Sequence, residues 1–541
     1  MLAPKIKLFG LALFACLFVG VFLPSQAEEA PNPQFGVIEA YEAPDAATEL
    51  GVGWTRIRFQ WAEMQPDSAE QWQMERLSEQ HIESEVAAGR ELVGLLIGIP
   101  DWARDENDLP SGLYLPIDDP NNLWATFVRT SVERYRGQIN HWIIWNEPDI
   151  WDKNALGHTW DGTEADFAQL MRVAYLVANQ SNPDSVIHLA SMTWFWDSNS
   201  GRVQYMDRLM AELTSDPEAA AHNYYFDVAT AHLYFQPAQI YDILNAWREI
   251  MASYGLDDKP FWLVETNAPV VDDPSWPVDS ITFNVTQRDQ ARYIPQAISL
   301  AFAAGAERIS IFKLIDTETD RLANPEPFGL LRDDGSARLG YTAYQVLIDV
   351  LHDVVDGERE RWDDVAQVRL AHGDGHTTHV LFTRKGLGSV AEVVATAETA
   401  QLVNYLGERE VISAENGVFR VELTPPECNH PVSDYCMIGG DTYYLIQNPS
   451  EPIELAEPTQ APAPTDVPIT TVAKLAETAA PTAEPTVIIE PTATVEPVAE
   501  VVSNSADDTM IVWVAPVIVI VVGALVLLYR FTRVFIEDEG V

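Results

Sequence analysis

From about residue 35 to about 350, short apolar runs bounded by turn-forming residues alternate with amphipathic stretches, the pattern of repeated strand–helix units. The apolar runs predict eight strands: 35–39, 54–60, 92–99, 141–146, 186–191, 227–233, 261–265 and 308–314. Between them, 3.6-residue periodicity predicts helices over 70–88, 121–136, 164–181 and 286–304, with a last one at Tyr341–Leu351. Eight such repeats in sequence predict an α/β fold, a closed parallel (β/α)8 TIM barrel, over residues 28–354.

Beyond residue 354 the pattern changes. Short β-type runs at Val380–Thr383, Gln401–Tyr405, Val418–Leu423 and Thr442–Ile446, punctuated by Gly and Asn, predict a small all-β domain over 355–448. Residues 449–510 are rich in Pro, Thr, Ala and Glu with almost no aromatic side chain. They cannot bury enough apolar surface to order themselves, which predicts a disordered stalk or linker. Residues 511–529 are apolar throughout and long enough to form a transmembrane helix. Arg530 and Arg533 follow that run and Asp507 and Asp508 precede it, so 530–541 is expected to be a cytoplasmic tail. At the other end, Lys5 and Lys7 precede the apolar Leu8–Leu23 and the small-residue site Ser25-Gln26-Ala27, the form of a signal peptide over 1–27. The bulk of the chain is therefore expected on the extracellular face of the cell membrane.

Composition narrows the partners. Against 81 Asp and Glu stand 33 Lys and Arg, a formal net charge of −48, which excludes a basic footprint for nucleic acid. Of three cysteines, Cys16 lies in the leader, leaving Cys428 and Cys436 as a candidate disulfide closing a small loop. No phosphate loop, dinucleotide fingerprint or His-Glu-x-x-His motif occurs, and no cofactor or metal is implied. The stretch His372-Gly373-Asp374-Gly375-His376, with His379 beyond it, is read as an Asp-Gly β-turn, since no second ligand pair has zinc-type spacing. Asn179-Gln180-Ser181 and Asn284-Val285-Thr286 fit the N-glycosylation pattern. Nothing in the sequence bears on oligomeric state.

The candidate chemistry lies at two strand ends. The apolar run within His141–Trp151 stops at Asn146-Glu147-Pro148. Pro148 cannot donate to a ladder and biases Glu147 toward extended backbone. An amide and a carboxyl thus stand side by side, flanked by Trp145 and Trp151, in surroundings that disfavour a carboxyl's charged form. Strand seven, Phe261–Glu265, likewise delivers a lone glutamate to its C-terminal end, where (β/α)8 barrels keep their chemistry. Two carboxyls facing each other across one mouth are what glycosidic cleavage requires.

Trp145-Asn146-Glu147-Pro148 on strand four, with the strand-seven Glu265, resembles the retaining (β/α)8 glycoside hydrolases of clan A, which include endoglucanase-like and β-xylosidase-like families. The resemblance covers about residues 35–350 and implies a glycosidase acting on a β-linked glycan by double displacement, with carbohydrate as partner. It implies Glu147 as general acid/base, Glu265 as nucleophile, and Asn146 as the amide that binds the sugar 2-hydroxyl. Arg56 matches the strand-two arginine beside the nucleophile, although Arg58, two residues on, leaves open which of them is a structural ion-pair partner. His232 and Tyr234 match the strand-six pair, with polar barrel core as the alternative. The two carboxyls are expected about 5–5.5 Å apart. Two departures bear on substrate: strand eight ends Ile311-Phe312-Lys313 where the clan often carries a tryptophan, and strand three ends Pro100-Asp101-Trp102 without a histidine. Trp102, Trp151, Trp194 and Trp196 fall in loops after strands three to five, placed to stack on sugars or to pack the loops. A non-catalytic, membrane-anchored glycan-binding protein on the same barrel is the competing expectation.

Overall fold

The computed structural model describes residues 31–449, apart from 74–78, 156, 279–280, 282 and 324–325. Eight parallel strands form one sheet: β1 (Asn32–Val37), β2 (Val52–Gln60), β3 (Glu91–Ile97), β4 (Ile139–Ile144), β5 (Val186–His188), β6 (Ala229–His232), β7 (Phe261–Thr266) and β8 (Ala306–Ile311). They are ordered β5-β4-β3-β2-β1-β8-β7-β6, and the parallel bridges His188–Val228 and Met192–Ala231 bring β5 against β6. The sheet thus rolls into a (β/α)8 barrel. Every predicted strand overlaps an observed one. β5 is the shortest because beyond His188 the ladder becomes isolated bridges such as Asn146–Ser191.

The barrel strands read as near-continuous apolar runs because both faces are buried, the inner by the opposite wall and the outer by helices. Large rings fill both faces: Trp54 and Trp262 lie 5.4 Å apart inside the barrel, and on the helix side Trp142 and Tyr135 pack on Phe59. Such rings leave no room for side chains beside them. A Cβ on Gly36 would meet Trp54 at 2.4 Å, and one on Gly94 would meet Trp142 at 2.4 Å.

The helices Leu123–Arg134, Glu164–Ser181, Pro237–Ser253, Gln287–Ala303 and Leu339–Val350 cover the barrel. Their starts follow side-chain capping: Asn122 accepts from Ala125 N, while Thr163 with Asp166 and Thr286 with Asp289 form capping boxes. The helix predicted over 70–88 is observed as Glu79–Ala87, and Gln71–Gln73 run as loop, Gln73 N bonding Met64 O.

After the helix Leu339–Val350 the chain becomes all-β: β9 (Val354–Trp362), β10 (Val365–His372), β11 (Thr377–Thr383), β12 (Ser389–Val394), β13 (Thr399–Asn404), β14 (Arg409–Ser413), β15 (Val418–Leu423), β16 (Pro431–Val432), β17 (Tyr435–Cys436) and β18 (Tyr443–Gln447). Six of these form an antiparallel sheet, β14-β13-β18-β11-β10-β9, and the β12–β15 pair covers one face of it. Its other face lies on the helix Gln287–Ala303, so Val368, Val380, Phe382 and Tyr444 join the barrel's apolar core. Cys428 and Cys436 are disulfide-bonded and close the loop that carries β16 and β17.

Among the described residues no helix is long and apolar enough to cross a membrane. The leader expected at 1–27, the stalk from 450 on, the span 511–529 and the tail 530–541 lie outside the described residues.

Candidate active site

Glu147 sits just past the end of β4, and Glu265 is the fifth residue of β7. The two meet across the C-terminal mouth of the barrel, with a carboxylate oxygen of each within 4.8 Å of the other. His232, the last residue of β6, stands between them: Nδ1 is 2.7 Å from Glu147 Oε1 and Nε2 is 3.5 Å from Glu265 Oε1. Arg56, on β2, approaches His232 Nε2 at 3.3 Å. A guanidinium can only donate, so Nε2 accepts, and the ring proton lies on Nδ1 and is donated to Glu147.

Arg56 also forms an ion pair with Glu265 Oε1, and the Tyr234 hydroxyl donates to Glu265 Oε2. Burial by itself would raise the Glu265 carboxyl; the charges of Arg56 and of His232 and the hydrogen bonds from Tyr234 and Arg56 outweigh it and hold the group below its ordinary value. Burial and the adjacent Glu265 push the Tyr234 hydroxyl well above its usual range, so it remains a donor. Arg58 answers the ambiguity left by the sequence. It lies two residues further along β2 toward the strand end, where its side chain is 62% exposed and near Glu63.

Local backbone differs from expectation at β4. Trp145 and Glu147 have φ of 73° and 48°, so Pro148 does not hold Glu147 extended. Cross-strand bonds set this conformation: Glu147 N donates to Ser191 O, and Ile150 N donates to Glu147 O across a turn. Left-handed backbone at two non-glycine residues is costly and concentrates at functional sites. One consequence is that Trp145 turns into the core against Trp124 and Trp160, and its indole does not flank the carboxyl. Asn146 is half-buried beside Glu147, its carbonyl accepting from Thr159 Oγ1 at 2.6 Å.

Two residues that the sequence did not single out hold the loops. Asp149, buried, accepts at Oδ2 from Thr193 N, Thr193 Oγ1 and Trp194 N, tying the loop after β4 to the loop after β5. Burial pushes its carboxyl up to about 7. Asn267 donates to the carbonyls of Phe312 and Phe328, joining the ends of β7 and β8. Phe312 stands at the end of β8, with Tyr234 and Phe328 packed edge-on against it. Of the loop tryptophans, Trp102 is partly buried with its indole N–H on Gln65 O, and Trp194 packs on Trp247. Trp151 is 42% exposed, edge-on to Trp196 and beneath the Arg202 guanidinium. The site can therefore present one carboxylate held ionised, a second carboxyl hydrogen-bonded to an imidazole, and an exposed indole on its rim.

No protein-family model matches the chain, and no curated protein matches it in sequence. Solved structures do match. A family 39 glycoside hydrolase from the gut symbiont Bacteroides cellulosilyticus WH2 is 14% identical, over 77% of this chain and 81% of that one, with a TM-score of 0.57. A GH30 endoxylanase from Clostridium papyrosolvens C71 is 11% identical, over 78% and 98%, with a TM-score of 0.50. A bifunctional glucanase-xylanase from a metagenome library is 14% identical, over 77% and 96%, with a TM-score of 0.50. At these identities the likeness is one of architecture: the chain has the (β/α)8 fold of glycoside hydrolases.

Proposed function

We propose that the protein is a retaining glycoside hydrolase that cleaves O-glycosidic bonds of an extracellular β-linked glycan or oligosaccharide by double displacement. The observation that carries this reading is the approach of Glu147 and Glu265, with carboxylate oxygens within 4.8 Å. Oxygens that close suit the roughly 5–5.5 Å between the carboxyl groups of retaining enzymes. Glu265, kept ionised by Arg56, attacks the anomeric carbon. Glu147 protonates the departing glycosidic oxygen, then takes a proton from the water that opens the glycosyl-enzyme. His232 orients Glu147 through Oε1, Tyr234 orients Glu265, Asn146 binds the sugar 2-hydroxyl, and Trp151 offers an apolar face to a sugar ring further out. Trp102 supports the loop after β3. The leader, stalk and apolar run 511–529 favour an outward-facing enzyme tethered with its C-terminus inside.

The test is a panel of chromogenic β-glycosides, xylo- and gluco-configured first because two structural neighbours are an endoxylanase and a glucanase-xylanase. Turnover should fall about 10²–10⁴-fold in Glu147→Gln and to background in Glu265→Gln. NMR of the first-formed product should find the β-anomer. Inversion at the anomeric carbon would overturn the mechanism. Tight glycan binding with no turnover across the panel would favour the binding protein instead.

A further inference from the structure

The disulfide-closed loop of the β domain reaches back to the barrel. Its base is fixed within the β domain: Cys436 N donates to Arg384 O, just past β11, and Met437 N donates to His430 O, both at 2.8 Å. Its other side meets the segment between β7 and the helix Gln287–Ala303. Asn429 Nδ2 donates at 3.1 Å to Asp289 Oδ2, in the capping box of that helix, and Asn284 N donates to His430 Nε2. An imidazole nitrogen that accepts carries no proton, so the His430 proton lies on Nδ1. Burial lowers this ring below its ordinary value, which keeps the Nε2 lone pair available for Asn284.

From His430 a run of ring contacts leads to Glu265. The His430 ring stands edge-on to Phe283 with centroids 5.3 Å apart, and Phe283 packs on Phe235 at 4.9 Å. Phe235 directly follows Tyr234, whose hydroxyl donates to Glu265 Oε2. The Phe235 backbone is left-handed, with φ of 67°. A non-glycine residue stays in that conformation only when its surroundings over-determine it. Here the Phe235 N–H donates to Asn267 O at 3.1 Å, and Phe283 holds the ring. With the ring freed, the backbone beside Tyr234 can relax. Phe312 and Phe328 also pack against Tyr234, so its hydroxyl would be loosened on Glu265 and not released.

We infer that His430 is a positioning residue for the reaction: the Cys428–Cys436 loop of the β domain acts through Phe283 and Phe235 to hold the Tyr234 hydroxyl on Glu265. The consequence for turnover rests on Glu265 being the nucleophile, as proposed above; the consequence for the backbone at Phe235 does not. The disulfide matters because it closes the loop that presents His430, so opening it should act in the same direction as removing the imidazole.

Hydrogen–deuterium exchange on the full chain reads the backbone without any turnover. In His430→Ala the Phe235 amide should exchange about 10-fold faster, while the helix Leu123–Arg134 keeps its protection. Reduction of the disulfide, or Cys428→Ala together with Cys436→Ala, should speed the same amide. His430→Gln keeps an acceptor for Asn284 N and should recover part of the protection. On a glycoside that is turned over, kcat should fall about 3-fold in His430→Ala with KM little changed. The acidic limb of kcat/KM should rise toward that of Tyr234→Phe, because a loosened hydroxyl stabilises the Glu265 carboxylate less. In a Tyr234→Phe background the His430→Ala change should cost nothing further. Unchanged exchange at Phe235 in His430→Ala, or a fully additive loss in the double variant, would overturn the inference. Faster exchange at Phe235 in a protein that turns over no glycoside would support the contact while overturning the proposed function.

Discussion

Glu147 and Glu265 are the same residue at equivalent strand ends, and what separates them is which neighbours reach each one. Arg56 and Tyr234 converge on Glu265, and His232 donates to Glu147. Removing the guanidinium should therefore act on one limb of the pH profile. With Arg56→Gln, burial is no longer outweighed, Glu265 holds its proton to higher pH, and the acidic limb of kcat/KM moves up by about one unit or more. Arg56→Lys should restore part of the shift, because it keeps the charge without the paired donors. An unmoved acidic limb in Arg56→Gln would mean that Glu265 does not set it. Tyr234→Phe, which deletes one hydrogen bond to a charged group, should cost about 10-fold in kcat, read from initial rates. The positions of Glu147, Glu265, Arg56, His232 and Tyr234 were legible because strand ends in a βα repeat index one mouth. The side-chain direction of Trp145 was not legible: alternation along a strand fails where the backbone turns left-handed, and nothing in the sequence of β4 announces φ of 73° there.

At the scale of elements, the barrel was readable because buried parallel strands are apolar on both faces, whereas the loops that shape the mouth carry no such period. Asp149 illustrates this: its partners Thr193 and Trp194 come from another βα unit, so no local pattern pairs them. Its carboxyl is raised by burial to about 7 from an ordinary value near 3.8. A carboxyl raised in the folded state contributes stability that is full below about pH 4 and is lost as pH rises through about 7. Asp149→Asn, neutral at every pH, keeps an oxygen for the Thr193 and Trp194 amides. The stability of the wild type relative to this variant should accordingly decline between pH 4 and 8, as followed by urea denaturation. Asp149→Ala removes the acceptor altogether and should cost about 1–3 kcal/mol by leaving buried donors unpaired. It should also raise KM through the slackened loop after β5. A pH-independent difference between wild type and Asn would refute the protonation assigned to Asp149.

At the scale of the whole molecule, the β domain completes the barrel's outer wall. The helix Gln287–Ala303 is buried along nearly its whole length, including Asp289, Gln290, Arg292, Gln296 and Ser299, which a helix with one solvent face would leave wet. Its polar side chains find partners in the β domain: Arg292 Nε bonds Asp441 Oδ1 at 2.8 Å, and Gln296 exchanges hydrogen bonds with Gly439 N and Gly440 O. From the sequence the helix was visible and its burial was not, because these partners lie about 145 residues further along the chain. Arg292 is 3% exposed as a side chain, so its charge is tolerable only while Asp441, assisted by Asp289 at 3.3 Å, answers it. Asp441→Ala should therefore destabilise by about 3 kcal/mol, at the low end for breaking a buried pair because Asp289 remains. Replacing both partners, Asp441→Ala with Arg292→Met, should recover most of that loss, since an apolar pair carries no uncompensated charge. Urea melts of the three variants decide it. If the double variant is no better than Asp441→Ala alone, the cost lies in lost packing against the helix and not in the stranded guanidinium.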